Sequence, residues 1–309
     1  MRVRRLSRGA GKSVNSTTMV PNAQGLRRAA AVLAFVPAAW ATTAAAQFGT
    51  SVNVVEIYAS VTNEEGEPVQ GLGRDQFIVL EDGRRQTVDT FVEGDFPLSV
   101  AVALDRSLSM AGERLTMARS AARTFMGQLR PADQAMVIAI SGQVEVAVPL
   151  STDRAAALAA IDRLDPWSTT ALHDAILLAL EKVQAGTGRR ALVLVSDGND
   201  RYSEAAAGDV VAAARTSDVM IYPVALGRDR PRLFVELAAA TGGRSFHARD
   251  RHALDETMQS IARELRHQYL LGYSPTRSLS EGPGEWRAIR LEVSAPGARV
   301  RAREGYIND

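Results

Sequence analysis

Residues 97–110 read PLSVAVALDRSLSM. From 98 to 104 the run is almost wholly apolar, which fits a strand buried on both faces better than one with a wet side. It ends on Asp105 and then sets Ser107 and Ser109 at alternate positions, on one side of an extended loop. In an open α/β sheet, ligands gather outside the carboxyl ends of the strands. One carboxylate and two hydroxyls at such an end are a candidate oxygen set for a hard cation such as Mg²⁺. The plainer alternative is that Asp105 caps the next helix and the serines make turn bonds.

The sequence around this stretch alternates strands with helices. Residues 113–129 place Leu115, Ala118, Ala122, Phe125, Met126 and Leu129 on one helical stripe. AMVIAIS (135–141) and VEVAVPL (144–150) read as strands, and DRAAALAAIDRL (153–164) as a helix capped by Asp153. TALHDAILLALEKV (170–183) is helical, and RRALVLVSDG (189–198) is a second apolar strand. Helix, strand and helix follow over 205–217, 218–227 and 231–243, with Pro231 in the first turn and Gly242 as the stop. A short strand at 244–248 precedes a helix over 253–266. This rhythm predicts an α/β fold, a doubly wound, mostly parallel sheet with helices on both faces.

Both flanks of that core are β-rich. VNVVEIYASV (52–61) and DQFIVLEDGRRQTVDTFVE (75–93) precede it, the latter read as two strands joined at Glu81-Asp82-Gly83. QYLLGYSP (268–275) and the alternating stretches within 286–307 follow it. Each flank alone has too few strands for independent stability. The expectation is that residues 47–96 and 267–309 pack together as a small discontinuous β-sandwich around a core at 97–266, with Tyr269, Tyr273 and Tyr306 in its interior.

Composition excludes several functions. The chain has 309 residues, 46% hydrophobic and 23% charged, with a formal net charge of +1. Much of the basic excess lies in the first 28 residues, so charge gives nucleic-acid binding no support. There is no cysteine, hence no disulfide, thiolate zinc site or cysteine nucleophile. Arg27-Arg28, an apolar run over 29–40 and Ala44-Ala45-Ala46 have the order of a secretory signal, with cleavage expected after Ala46. The run is short for a membrane span. The long basic lead makes Met19 an alternative start to Met1. A periplasmic or secreted protein with no span after cleavage is expected.

Two further segments supply oxygen ligands. LVLVSDGND (192–200) ends its apolar run on Ser196 and Asp197, and WSTTALHDA (167–175) sets Thr169 and Thr170 at the mouth of a helix. Together with Asp105-x-Ser107-x-Ser109, these segments resemble the three parts of the metal-ion-dependent adhesion site of von Willebrand factor type A domains. Thr170 is matched rather than Thr169 because TALHDA fits the family's Thr-Ala-Leu run. PVQGLGRDQFIVLEDG (68–83), FVEGDFPLSVAVALD (91–105) and HQYLLGYSP (267–275) also look like bacterial secreted proteins related to this family. The resemblance implies that Ser107 and Ser109 contact Mg²⁺ or Mn²⁺ directly, Thr170 directly or through water, and Asp105 and Asp197 mostly through water. It further implies a non-enzymatic protein-binding or adhesion module whose open metal position takes an Asp or Glu carboxylate from a partner protein. Arg106 and Leu108 are large where the family often has small residues around the first serine, so Leu108 is expected to shape the rim and Arg106 to set a positive charge near the cation. Trp167, beside the Thr loop, is the third expected rim residue. Trp167 also reads as a packing residue.

Competing readings are a metal-free scaffold subunit of an envelope complex and a hydrolase. An aspartyl phosphohydrolase usually has a second acid two residues on, where Ser107 stands, and a Gly-x-Ser-x-Gly nucleophile turn is absent. His173, His247, His252 and His267 form no i, i+4 pair that would suggest zinc. Asp174 and Asp200 read equally as outer acids of the site or as helix-start residues.

Overall fold

Every residue of the strand Leu98–Asp105 is buried. Its neighbours explain why in a computed structural model that describes residues 54–94, 96–227 and 230–308. The expected export segment (1–46) and the choice of start lie outside the described residues.

The N-terminal flank forms β1 (Val55–Thr62), β2 (Phe77–Glu81), β3 (Arg84–Gln86) and β4 (Val88–Gly94). The core runs β5 (Leu98–Asp105), α1 (Glu113–Gln128), β6 (Gln134–Ile140), β7 (Glu145–Ser151), α2 (Arg154–Asp162) and α3 (Leu172–Val183). It continues with β8 (Arg189–Ser196), α4 (Ala207–Thr216), β9 (Val219–Ala225), α5 (Arg232–Thr241), β10 (Phe246–His247) and α6 (Arg251–Arg266). The C-terminal flank adds β11 (Gln268–Tyr273), β12 (Trp286–Val293), β13 (Arg299–Arg301) and β14 (Gly305–Ile307).

The central sheet has the order β10-β9-β8-β5-β6-β7. All its pairings are parallel except that of β6 with β7 at the edge. Alternate residues of β5 feed opposite cores. Val100, Val102 and Leu104 pack with α1, α2 and α6, whereas Ala101 and Ala103 pack with α3, α4 and α5. With three helices on each face, no strand residue needs to be polar, and the period of two expected of a half-wet strand is hidden. The chain leaves β5 toward β6 on one side and returns through β8 on the other. That reversal opens a crevice at the carboxyl ends of β5 and β8.

The flanks interleave strand by strand. One antiparallel sheet has the order β13-β1-β11-β4 and the other β14-β12-β2-β3, so each sheet takes two strands from either flank. Phe77, Tyr269, Leu271, Tyr273 and Ile289 fill the space between them. Residues 75–93 make three strands rather than the two expected. Asp82 and Gly83 take positive φ in the β2–β3 turn, and after Gln86 the chain crosses to the other sheet. Arg287 and Glu81 are buried as an ion pair, and the hydroxyls of Tyr273 and Tyr306 donate to the Glu81 carboxylate at 2.7 and 2.9 Å. Burial and this acceptor push the Tyr306 hydroxyl up to about 12, and Tyr273 higher still.

The sandwich is bonded to the α/β core. Arg189 at the base of β8 donates to the Phe96 carbonyl at 2.6 Å and to Gln268 at 3.3 Å, and its burial lowers its pKa to about 10. Glu264 on α6 accepts from Tyr222 at 2.9 Å and from Arg301 at 2.7 Å. Gly242 ends α5 in the left-handed region at φ 76°, where an added Cβ would lie 2.5 Å from the backbone of Ala302. Pro231 sits at the N-cap of α5, one place before the first turn expected for it. The strand expected over 244–248 has two paired residues, and α6 starts at Arg251 because the Asp250 carboxylate accepts from Ala253.

Candidate functional site

Asp105 ends β5 beside β8, and Asp197 is the first residue after β8. The backbone N–H of Ser107 donates to Asp105 Oδ1 at 2.9 Å, and the Ser196 hydroxyl donates to Oδ2 at 2.6 Å. Both oxygens of this fully buried carboxylate are therefore held. Burial raises the Asp105 pKa and the charge of Asp197 adds to the rise, while the bonds from Ser196 and Ser107 oppose it. The site thus concentrates negative charge in a low-dielectric place.

Ser107 and Ser109 lie with their hydroxyl oxygens 3.1 Å apart. Their common orientation comes from a turn, not from the extended loop expected: the bond from Ser107 to Asp105 bends the chain into a 3-10 turn over Leu108–Met110. Ser107 is buried and Ser109 exposed, so the pair spans from the interior to the mouth. Neither serine side chain caps α1, whose N-cap is Gly112.

The Thr170 loop is stitched to both neighbours. Leu108 N donates to Ser168 O at 3.0 Å, and Trp167 N donates to Arg106 O at 2.8 Å. On the other side Thr170 O accepts from Arg201 N and Tyr202 N, both at 3.0 Å. Thr170 is buried and Thr169 half-buried. Asp200 accepts from the N–H groups of Leu172 and His173 at the start of α3, and Asp174 returns the contact by accepting from Glu204 and Ala205. These two acids act at the helix start, where they fix the Thr170 loop against the loop after β8.

The expected rim residues gather at the mouth. Leu108 is 65% exposed and Trp167 46%. Arg106 does not extend toward the carboxylates: its guanidinium pairs with Glu145 at 3.2 Å and lies 5.3 Å from the Trp167 ring centroid. Three contributors escaped the sequence reading. Ser168 takes positive φ (60°), a conformation with no signature in a lone serine. Tyr202, 65% exposed, joins the rim because its N–H bonds Thr170 O. Arg114 on α1 reaches within 3.8 Å of Asp197; its side was legible only once the helix was placed.

Among the described residues, no group of three or more His, Cys, Asp or Glu could hold a metal ion. The five residues expected at the site comprise two carboxylates and three hydroxyls, a different donor class. Two buried or nearly buried acids with adjoining hydroxyls fit a hard divalent cation by chemistry and charge. Among the described residues, no helix is long and apolar enough to cross a membrane.

The fold and the motif order agree with comparisons to known proteins. Residues 100–199 match the model of the von Willebrand factor type A domain. A UPF0353 protein of Mycolicibacterium paratuberculosis is 26% identical over 207 residues, and one of Mycolicibacterium vanbaalenii is 36% identical over 104. The matches cover 56% and 31% of this chain, which spans 62% and 31% of those relatives' lengths. A solved von Willebrand factor type A structure from Catenulispora acidiphila aligns with 84% of this chain and 75% of its own, at 14% identity and a TM-score of 0.51. Proximal thread matrix protein 1 of the mussel byssus aligns at the same TM-score and 15% identity, over 60% of this chain and 51% of its own. The order of the motifs, the doubly wound sheet and the matched segment agree: residues 100–199 of this chain are similar to the von Willebrand factor type A domain.

Proposed function

We propose that this chain is an exported, metal-dependent protein-binding module. Asp105, Ser107, Ser109, Thr170 and Asp197 hold Mg²⁺ or Mn²⁺, and a partner protein completes the site with an Asp or Glu carboxylate. The observation that carries this reading is the convergence of Asp105 and Asp197 at the sheet's switch point, with the Ser107–Ser109 hydroxyl pair beside them. Type A domains are generally interaction modules, which favours binding over catalysis. When bound, the ion supplies Lewis acidity toward an external carboxylate. The chain's own residues position it: Ser196 and the Ser107 N–H orient Asp105, and Asp200 and Asp174 hold the Thr170 loop in place. Export rests on the residue order of 27–46.

Calorimetric titration of the chain with Mg²⁺ and Mn²⁺ tests the metal. Binding in the micromolar to millimolar range, reduced in Ser109→Ala with circular dichroism unchanged, is the expected result. A chain that binds neither ion at millimolar concentration is better read as a metal-free scaffold. Pull-down from envelope extract, with Mg²⁺ or with chelator, tests whether the partner needs the ion.

A further inference from the structure

A cleft of about 410 Å³ opens beside Asp197, lined by Arg114, Met117, Leu226, Gly227, Ala248 and Arg249. Met117, Leu226 and Ala248 are buried and make an apolar floor. Arg114 joins the cleft to the candidate metal site, since its Nη1 lies 3.8 Å from Asp197 Oδ2 and donates to the Ser109 carbonyl at 3.2 Å. Gly227 abuts the same acid: a Cβ there would lie 3.9 Å from the Asp197 carbonyl oxygen. Arg249 is exposed, and among the described residues no hydrogen bond or ion pair engages its side chain. The opposite side of the mouth differs. There a cleft of about 360 Å³ contains Arg106 already matched by Glu145, with Trp167 as its apolar wall.

We propose that the Arg114–Arg249 cleft is a second carboxylate subsite, so that the partner's recognition segment presents two acidic side chains, one to the ion and one to this cleft. The inference rests on the metal-dependent reading above. With a divalent ion balanced by Asp105 and Asp197, both guanidiniums of the cleft are left without a counter-charge. Two like charges over one apolar floor focus their field outward from the cleft. A guanidinium also offers paired N–H donors that match a carboxylate. The charge-balanced Trp167 side has no such demand, which places the second acid on the Asp197 side.

The probes are acetylated Ser/Gly peptides carrying one Asp, or two Asp separated by one to four residues. Their binding to the full chain is read by fluorescence anisotropy in Mg²⁺. The best two-acid peptide is expected to bind about tenfold tighter than the one-acid peptide. That advantage should fall below about twofold in Arg249→Gln and be partly kept in Arg249→Lys, which retains the charge without the fork. Equal affinities of the two peptide classes for a wild type that binds Mg²⁺ would overturn the subsite and leave the metal reading intact. So would an advantage undiminished in Arg249→Gln. If the wild type binds no metal, the metal reading and the subsite fall together, and a two-acid preference that still depends on Arg249 would mark a different, ion-independent mode.

Discussion

Asp105 ends β5 and Asp197 directly follows the adjacent parallel strand β8, and burial, reinforced by the charge of Asp197, raises the pKa of Asp105. The Asp105 carboxylate is held by two donors, yet burial and its like-charged neighbour outweigh them. A group in that position favours either a proton or a cation.

Replacing Asp105 by Asn keeps the shape and removes the charge. The metal-free chain should gain stability at neutral pH, because burial makes the ionised Asp105 carboxylate unfavourable there. The same variant should lose its Mg²⁺-dependent rise in melting temperature. Thermal melts with Mg²⁺ and with chelator check both halves; a destabilised metal-free Asp105→Asn would contradict the first.

The pH dependence follows from the same elevation. Because the folded pKa of Asp105 lies above its ordinary value of 3.8, the stability it contributes is fully present below that value. It is lost as pH rises through the raised folded value. Metal binding needs the ionised carboxylate, so Mg²⁺ affinity should run the other way and weaken toward acid. Urea denaturation and metal titration from about pH 4 to about pH 8 read the two trends. Asp105→Asn should remove this group's share of both.

Asp200→Ala removes the acceptor for Leu172 N and His173 N at the start of α3. A lost cap costs about 0.5–2 kcal/mol. Freed from its tie to the loop after β8, the Thr170 loop should also hold metal several-fold less tightly. Asp200→Asn, which keeps an acceptor, should recover most of both in denaturation and calorimetry.

In the sandwich, Arg287→Met strips the counter-charge from buried Glu81, and breaking a buried pair costs about 3–5 kcal/mol. Denaturant midpoints measure the loss. Replacing Arg287 and Glu81 together by apolar residues should cost less than the single change.

Gly242→Ala places a Cβ against Ala302 at a backbone φ of 76°. Strain of about 1–3 kcal/mol is expected, read as a lowered melting temperature.

The parallel core was readable because a strand covered on both faces is nearly all apolar, and residues 98–104 (Ser99 apart) and 191–195 are. The residues proposed for the site, Asp105, Ser107, Ser109, Thr170 and Asp197, could be named from the sequence because their side-chain type carries the chemistry, and the fold sets Asp105 and Asp197 at adjoining strand ends. What stayed hidden depends on backbone shape or distant packing. Ser168 has an ordinary side chain on a left-handed backbone, and Arg114 gains its meaning only from the direction of α1. The sheet switch after Gln86 left no mark because β3 and β4 are separated by a single residue, Thr87. Arg106 illustrates the converse: its position beside Asp105 suggested a positive charge near the cation, but Glu145 on the edge strand β7, two strands away, pairs with it.

The interleaved flanks also constrain the order in which the chain can fold. Ser60 on β1 meets Gln268 on β11 across 208 residues of sequence, and that pairing cannot form until the far strand exists. Closing so long a loop before any partner contact forms is entropically costly. Once the α/β core has folded, it holds Leu98 and Arg266 in fixed places and brings the two flanks within reach. A core that folds first would serve as a template for the outer sheets, and variants that destabilise it are expected to delay their assembly in refolding kinetics. Strands β1 and β4 wait meanwhile with open edges, a state in which a second chain could substitute for the missing partner.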